Sequence, residues 1–314
     1  MPTTSIDLTA AAEKLSSAFI AIWNESTLRA HCEKILDNQT LESKRKKTLY
    51  NTYCTEPWQV IVWCYCSMNT KGSSKASKDW TENNGFKEMI ELFKKFVLSP
   101  TKNEREKFLA INLILRYYAG GKFLTISQKL VENFYLDNRE ELTENILLEK
   151  INNEKSFDLK SYENKPQKAD SWVLYKILEK HKFNPFHINE EFENLSIINS
   201  SEEAIIKKLE GLGSKYSRNV KMDIRTPDSE SFIAIDKRIK EVLNKVGLNL
   251  NVDRYYDKIE RFLVKDVVEA KLSKVIAPAY TSRPEGLNGI TPWELDRLLY
   301  NLGDSSILEN YLSK

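Results

Sequence analysis

An all-α protein is what this sequence predicts. Three observations carry that expectation. Apolar residues return at spacings of three and four, as in Phe86, Met89, Ile90, Phe93 and Val97, which marks one face of a helix. Runs with the period-two alternation of a half-buried strand are nearly absent. Breaker residues sit between the periodic segments rather than inside them.

The elements follow in order. Residues 5–23 place Ile6, Leu8, Leu15, Phe19, Ile20 and Trp23 on an amphipathic helix. Trp58 to Thr70 begins with a dense apolar run and ends in polar residues. After the helix at 86–97 come helical stretches at 103–119 and 126–136, separated by Gly120-Gly121. Asn152 to Gln167 is polar and reads as a loop. Residues 169–181 resume a helix with Trp172, Val173, Tyr175, Ile177 and Leu178. Ser200 and Glu203 have the spacing of a capping box, so a further helix starts there. Residues 254–276 form one long amphipathic stretch. Pro278 to Gly289 is a loop, followed by the helix opened by Thr291-Pro292. The expected body has two lobes with a cleft between them. One joins residues 1–50 and 236–314, and the other spans 51–235.

Composition narrows the classes. A hydrophobic share of 41% and a charged share of 29% are those of a soluble globular chain. No apolar run reaches the roughly 20 residues that a membrane span needs, and the start lacks the basic and apolar regions of a signal peptide. A cytoplasmic protein, with no membrane partner and monomeric, is expected. Cys32, Cys54, Cys64 and Cys66 are too few for a disulfide framework in 314 residues, and read as reduced thiols. Cys64-Tyr-Cys66 has no matching ligands nearby, so no metal is expected. His31, His181 and His187 are scattered. Net charge is only +2, so binding to nucleic acid would need a local patch. Candidates are Lys44 to Lys47, which more simply reads as a solvated helix face, the lysines at 71–78, and Lys207, Lys208, Lys215, Arg218 and Lys221.

Residues 201–222 hold the most telling pattern. Gly211-Leu212-Gly213 makes a tight hairpin between two helices, because glycine tolerates positive φ and close backbone approach. Ser214 can cap the second helix. The first N–H groups of that helix have no intrahelical partner, so the hairpin is a donor-lined site for a phosphate. Lys215 opens the second helix. Asp236 precedes the helically spaced Ile239, Val242, Leu243 and Val246. Taken singly, the glycines are a helix C-cap and Asp236 an N-cap.

Together, Gly211-Leu-Gly213, Lys215 and Ile235-Asp-Lys-Arg-Ile239 resemble the helix-hairpin-helix DNA glycosylase superfamily. Scattered blocks extend the likeness: Trp58 to Thr70, Asn164 to Ala169, and Thr291 to Tyr300, which is similar to the C-terminal helix of the archaeal-type 8-oxoguanine glycosylases. The pattern departs at Glu210, where proline is usual. The long spacing from Asn69 to Lys215 implies a helical insertion within 85–160. All four cysteines precede Asp236, so the iron–sulfur cluster of the endonuclease III branch is not expected.

The resemblance implies a two-lobed glycosylase fold and double-stranded DNA as partner. It implies a bifunctional enzyme. A damaged base, 8-oxoguanine favoured, is flipped from the duplex because its glycosidic bond is unreachable in the stack. Lys215 attacks the sugar C1′ once its ammonium is deprotonated, helped by desolvation or a neighbouring cation such as Arg218. Base loss leaves a Schiff base, and β-elimination cuts the strand. Asp236 offsets the developing positive charge. Gly211, Leu212, Gly213, Ser214 and Arg218 would hold the DNA backbone. Asn69 would fill the hole in the duplex, and Trp293 and Asp296 would line the base pocket. Two other classes fit parts of the pattern. A non-catalytic helix-hairpin-helix protein would keep the phosphate grip alone. A helical scaffold would use Lys215 and Asp236 only as a surface charge and a cap.

Overall fold

The computed structural model describes residues 8–67, 84–119, 141–164, 170–193, 209, 214–226, 228–248, 252–303 and 306–313. Among these the chain is all-α, with no strand. It divides into two compact units, Met1–Lys47 with Ser214–Lys314, and Thr48–Gly213. The first boundary lies within a few residues of the expected 50/51. The second lies at 213/214 instead of 235/236. The hairpin's second helix belongs by its packing to the unit that carries Asp236, where Arg218 reaches Glu260.

The first unit is built on α1 (Leu8–Asn24), the first part of α2 (Ser26–Tyr53), α10 (Ser214–Asp223), α11 (Lys237–Lys245), α12 (Val252–Arg261), α13 (Pro292–Leu302) and α14 (Ser306–Leu312). Its core joins Leu15, Phe19 and Ile22 of α1 to Ile239, Val242 and Leu243 of α11 and to Leu295, Leu298 and Leu299 of α13. Local chemistry sets the helix ends. Thr291 and Glu294 form a full capping box at the start of α13, with Pro292 in the first turn. Gly247, at φ 93°, closes α11, and the Leu248 N–H returns to the Leu243 carbonyl at 2.9 Å. This is the left-handed stop that glycine adopts without strain.

The stretch expected to be one helix over 254–276 is broken. Tyr255 interrupts α12 with non-helical angles (φ −120°, ψ 22°). The chain then widens into π-helical turns over Phe262–Glu269 and tightens to a 3₁₀ turn at Leu272–Lys274. Periodicity in sequence does not distinguish these hydrogen-bond patterns, since all keep an apolar face near one side.

The basic run Lys44 to Lys47 is only in part a solvated face: Lys44 and Arg45 are exposed and Lys46 and Lys47 half-buried. Lys44 donates to the Ser282 carbonyl at 2.9 Å, and Lys47 to the Arg225 carbonyl at 3.2 Å. Lys46 pairs with Asp223 and Glu42, both at 3.1 Å. These ammonium groups tie α2 to the 223–225 and 282 turns, which a run of like charges gives no hint of.

The second unit holds α3 (Pro57–Ser67), α4 (Gly85–Leu92) continuing into π-helical turns over Phe93–Val97, α5 (Glu104–Ala119), α6 (Glu144–Asn153), α7 (Leu159–Glu163), α8 (Asp170–Lys180) and α9 (Pro185–Glu191). Helix α5 is deeply buried, with Phe108, Ala110, Ile111, Leu113 and Ile114 at 1% exposure or less. It packs on α3, α4, α6 and α8. The described residues within 85–160, where an insertion was expected, therefore supply much of the core of this unit. The segment read as a loop after Asn152 contains α7, capped by Asp158. Phe157 and Tyr162 anchor it by packing on Phe108 at 5.4 and 5.1 Å between ring centroids. Its polar composition hid two aromatic contacts that fix it.

Cys54, Cys64 and Cys66 are buried in this unit and Cys32 in the other, all as free thiols. No cluster of three or more metal-ligating side chains occurs among the described residues. No helix among them is long and apolar enough to cross a membrane. The helices expected at 126–136 and from Ser200, the 71–78 loop with Asn69, the Asn164–Ala169 element beyond Asn164, and the hairpin Gly211-Leu212-Gly213 lie outside the described residues.

Candidate functional site

Lys215, Asp236, Ser214, Arg218, Trp293 and Asp296 all fall in the first unit. Ser214 is the first residue of α10, and its carbonyl accepts the Ser217 hydroxyl at 2.9 Å. Lys215 follows in the first turn, partly exposed, with its Nζ 4.9 Å from the centroid of the Tyr216 ring. A cation over a phenol ring is weakly attracted to the π-face, which orients the amine without neutralising it.

Arg218, expected to hold the DNA backbone, is a buried residue. Its guanidinium forms a two-pronged pair with Glu260, Nε to Oε1 at 2.8 Å and Nη2 to Oε2 at 3.0 Å. The paired side chains are 11% and 9% exposed. Its carbon Cζ also lies 4.7 Å from the Phe232 ring centroid. The expected grip on a phosphate is thus replaced by a grip on a carboxylate inside the protein. Lys221 is likewise buried, bonded to Asp228 at 2.7 Å and set over Phe232 at 4.6 Å. Burial alone would raise the Asp228 pKa. Hydrogen bonds from Lys221 and Thr226 outweigh that and lower it.

Asp236 is the N-cap of α11, with Oδ1 accepting the Ile239 N–H at 3.0 Å. Oδ2 has no hydrogen-bond partner among the described residues. The cap thus uses one oxygen of the carboxylate.

The backbone leading into Asp236 is held by an uncommon arrangement. Three consecutive amides, each short of a strand or helix partner, are met by side chains. Ile233 N–H donates to Glu260 Oε1 at 3.4 Å, Ala234 N–H to Asp296 Oδ1 at 2.8 Å, and Ile235 N–H to the Tyr256 hydroxyl at 3.0 Å. The same hydroxyl donates back to the Ile233 carbonyl at 3.2 Å. Buried amides need acceptors, and here two helices supply them.

Trp293 and Asp296, expected in a base pocket, are each 1% exposed. The ring of Trp293 packs with Met222 and Ala234 and is covered by the Arg225 guanidinium, 4.5 Å from its centroid. Asp296 spends Oδ1 on Ala234 and Oδ2 on Arg297, whose Nε lies at 2.8 Å. Burial raises its pKa, the Arg297 charge opposes, and nearby Asp236 adds to the rise. Neither side chain presents a free edge to a base in this state.

Arg225 carries its own strain, at φ 51°, a left-handed value that costs a branched-free side chain about 1 kcal/mol. Its Nη2 lies 2.7 Å from Glu230 Oε1, and Glu230 accepts the Thr291 hydroxyl at 2.9 Å. Burial pushes the Glu230 carboxyl upward against the pull of Arg225. Sequence reasoning missed Tyr256, Glu260, Arg225 and Glu230. The one available signal was Tyr256 and Glu260 at four-residue spacing beside Ile259 and Leu263, polar groups on a face destined for the interior.

No protein-family model matches the chain, and neither a curated protein nor a solved structure does. The site is therefore judged on its own chemistry.

Proposed function

We propose that this protein is a bifunctional DNA glycosylase and abasic-site lyase of helix-hairpin-helix type, acting on double-stranded DNA with a flipped damaged base, 8-oxoguanine favoured. The observation that carries it is Asp236: a carboxylate with one oxygen fixed by a helix N–H, in the same unit as Lys215. Lys215, in the first turn of α10, serves as the amine nucleophile. Its neutral Nζ forms a bond to C1′ as the C1′–N bond breaks, and the base leaves with the electron pair and takes up a proton. Loss of a proton from nitrogen and ring opening give the iminium, and β-elimination of the 3′ phosphate follows. Asp236 stabilises the positive charge that builds on the sugar. Ser214 and the glycines 211 and 213 would hold backbone phosphates, while Arg218 acts inside the protein.

Borohydride trapping tests this. Duplexes carrying an abasic site, or 8-oxoguanine opposite cytosine, are incubated with the protein and reduced. A covalent complex that is lost in Lys215→Gln is the expected result. Tight binding of duplex with no complex from either substrate leaves a non-catalytic DNA-binding protein. No duplex binding at low salt leaves a scaffold.

A further inference from the structure

We infer that the Tyr256 hydroxyl is a positioning residue for Asp236, the central rung of a side-chain ladder that fixes where that carboxylate points. This rests on the proposed glycosylase and lyase chemistry. The segment Ile233–Ile235 belongs to no helix and pairs with no strand among the described residues, so its direction is not set by backbone pairing. Tyr256 takes the place of that missing strand. Its oxygen accepts from the Ile235 N–H at 3.0 Å and donates to the Ile233 carbonyl at 3.2 Å, so a single atom spans Ile233 to Ile235, the three residues before Asp236. Glu260, one turn further along α12, meets the Ile233 N–H and Arg218 of α10. It links the helix of Lys215 to the segment that ends in Asp236. Asp296 on α13 closes the third amide.

The geometry of α12 fits this task. The kink at Tyr255 re-aims the next residue, and Tyr256 is buried to 9% exposure while Tyr255 stays 37% exposed. Burial and the Glu260 charge push the phenol pKa upward, so the hydroxyl keeps its proton and remains a donor. A carboxylate misplaced by about 1 Å can lose on the order of a hundredfold in rate, so such a brace matters to chemistry more than to binding.

The test is Tyr256→Phe, which removes one oxygen and keeps the ring, with Tyr255→Phe as the neighbouring control. Each folded variant, checked by its thermal melt, is taken through single-turnover borohydride trapping on an abasic duplex and through duplex binding. Amide hydrogen exchange is followed at Ile235 and Ile239. Tyr256→Phe is expected to trap roughly ten- to a hundredfold more slowly. Its duplex Kd stays within about twofold and exchange at Ile235 is faster, while Tyr255→Phe behaves as wild type. If Tyr256→Phe loses binding and trapping in parallel, or traps at the wild-type rate, the positioning role is overturned while the enzyme stands. If the wild-type protein itself fails to trap, the lyase reading falls and takes this role with it.

Discussion

Breaking the Arg218–Glu260 pair should destabilise the first unit severely, and replacing both partners should not. Both side chains are nearly enclosed, and each nitrogen–oxygen contact is short and well aligned. In Glu260→Leu the guanidinium stays buried without the Glu260 carboxylate, and the Ile233 N–H loses its acceptor as well. Removing one member of a buried pair typically costs about 3–5 kcal/mol. The stranded amide adds about 1–3 kcal/mol if it finds no water. A loss near 4 kcal/mol corresponds to a fall of roughly 8–16 °C in Tm for a unit of this size. Arg218→Met strands Glu260 instead and should lose a similar amount. In the double variant no charge is left behind, and what remains is mainly the stranded Ile233 amide, about 1–3 kcal/mol. The coupling is read from a double-mutant cycle of urea unfolding curves, fitted with separate transitions if the two units unfold separately. Additive losses in the double variant would refute the idea that Arg218 is held by Glu260 inside the protein. They would restore it as an outward-facing cation.

Two further outcomes are expected. Gly289→Ala should destabilise the first unit by about 1–3 kcal/mol or more, because the added Cβ would lie 2.1 Å from the Ser273 carbonyl oxygen, a backbone atom that cannot swing aside. An unchanged melting curve would show that the 273 turn is freely displaced. Asp228 has a folded pKa below its usual 3.8, so its ionised form stabilises the fold above that value and the benefit is lost as pH falls through the folded pKa. The stability gap between wild type and Asp228→Asn should thus be constant from pH 7 to 5 and shrink below about 3.8. A gap that persists at acid pH would assign the effect to something other than the Lys221 pairing.

The legible part of this protein was what repeats locally. The face of Phe86 to Val97, the capping box at Thr291 and the N-cap at Asp236 were all readable, because each depends on residues within a few positions. The illegible part was where side chains go across the chain. Lys44, Lys46, Lys47, Arg218 and Lys221 look alike in a sequence. In the structure each has a carbonyl or carboxylate partner, several of them far away in the chain. Charge counting therefore overstated the basic surface of α10. Trp293 and Asp296 were chosen by resemblance and sit enclosed, one under Arg225 and the other spent on Ala234 and Arg297.

The sequence by itself determined an all-α chain, its helix caps, and the placing of Lys215 and Asp236 at the starts of two successive helices. Those properties follow from periodicity and from hydrogen bonds closed within one turn. Only the tertiary structure decided that α10 packs with the Asp236 unit, that α5 is a core helix, and that Tyr256, Glu260 and Asp296 brace the approach to Asp236. Buried amides and buried charges must find partners wherever the fold brings them, and sequence distance carries no record of that meeting.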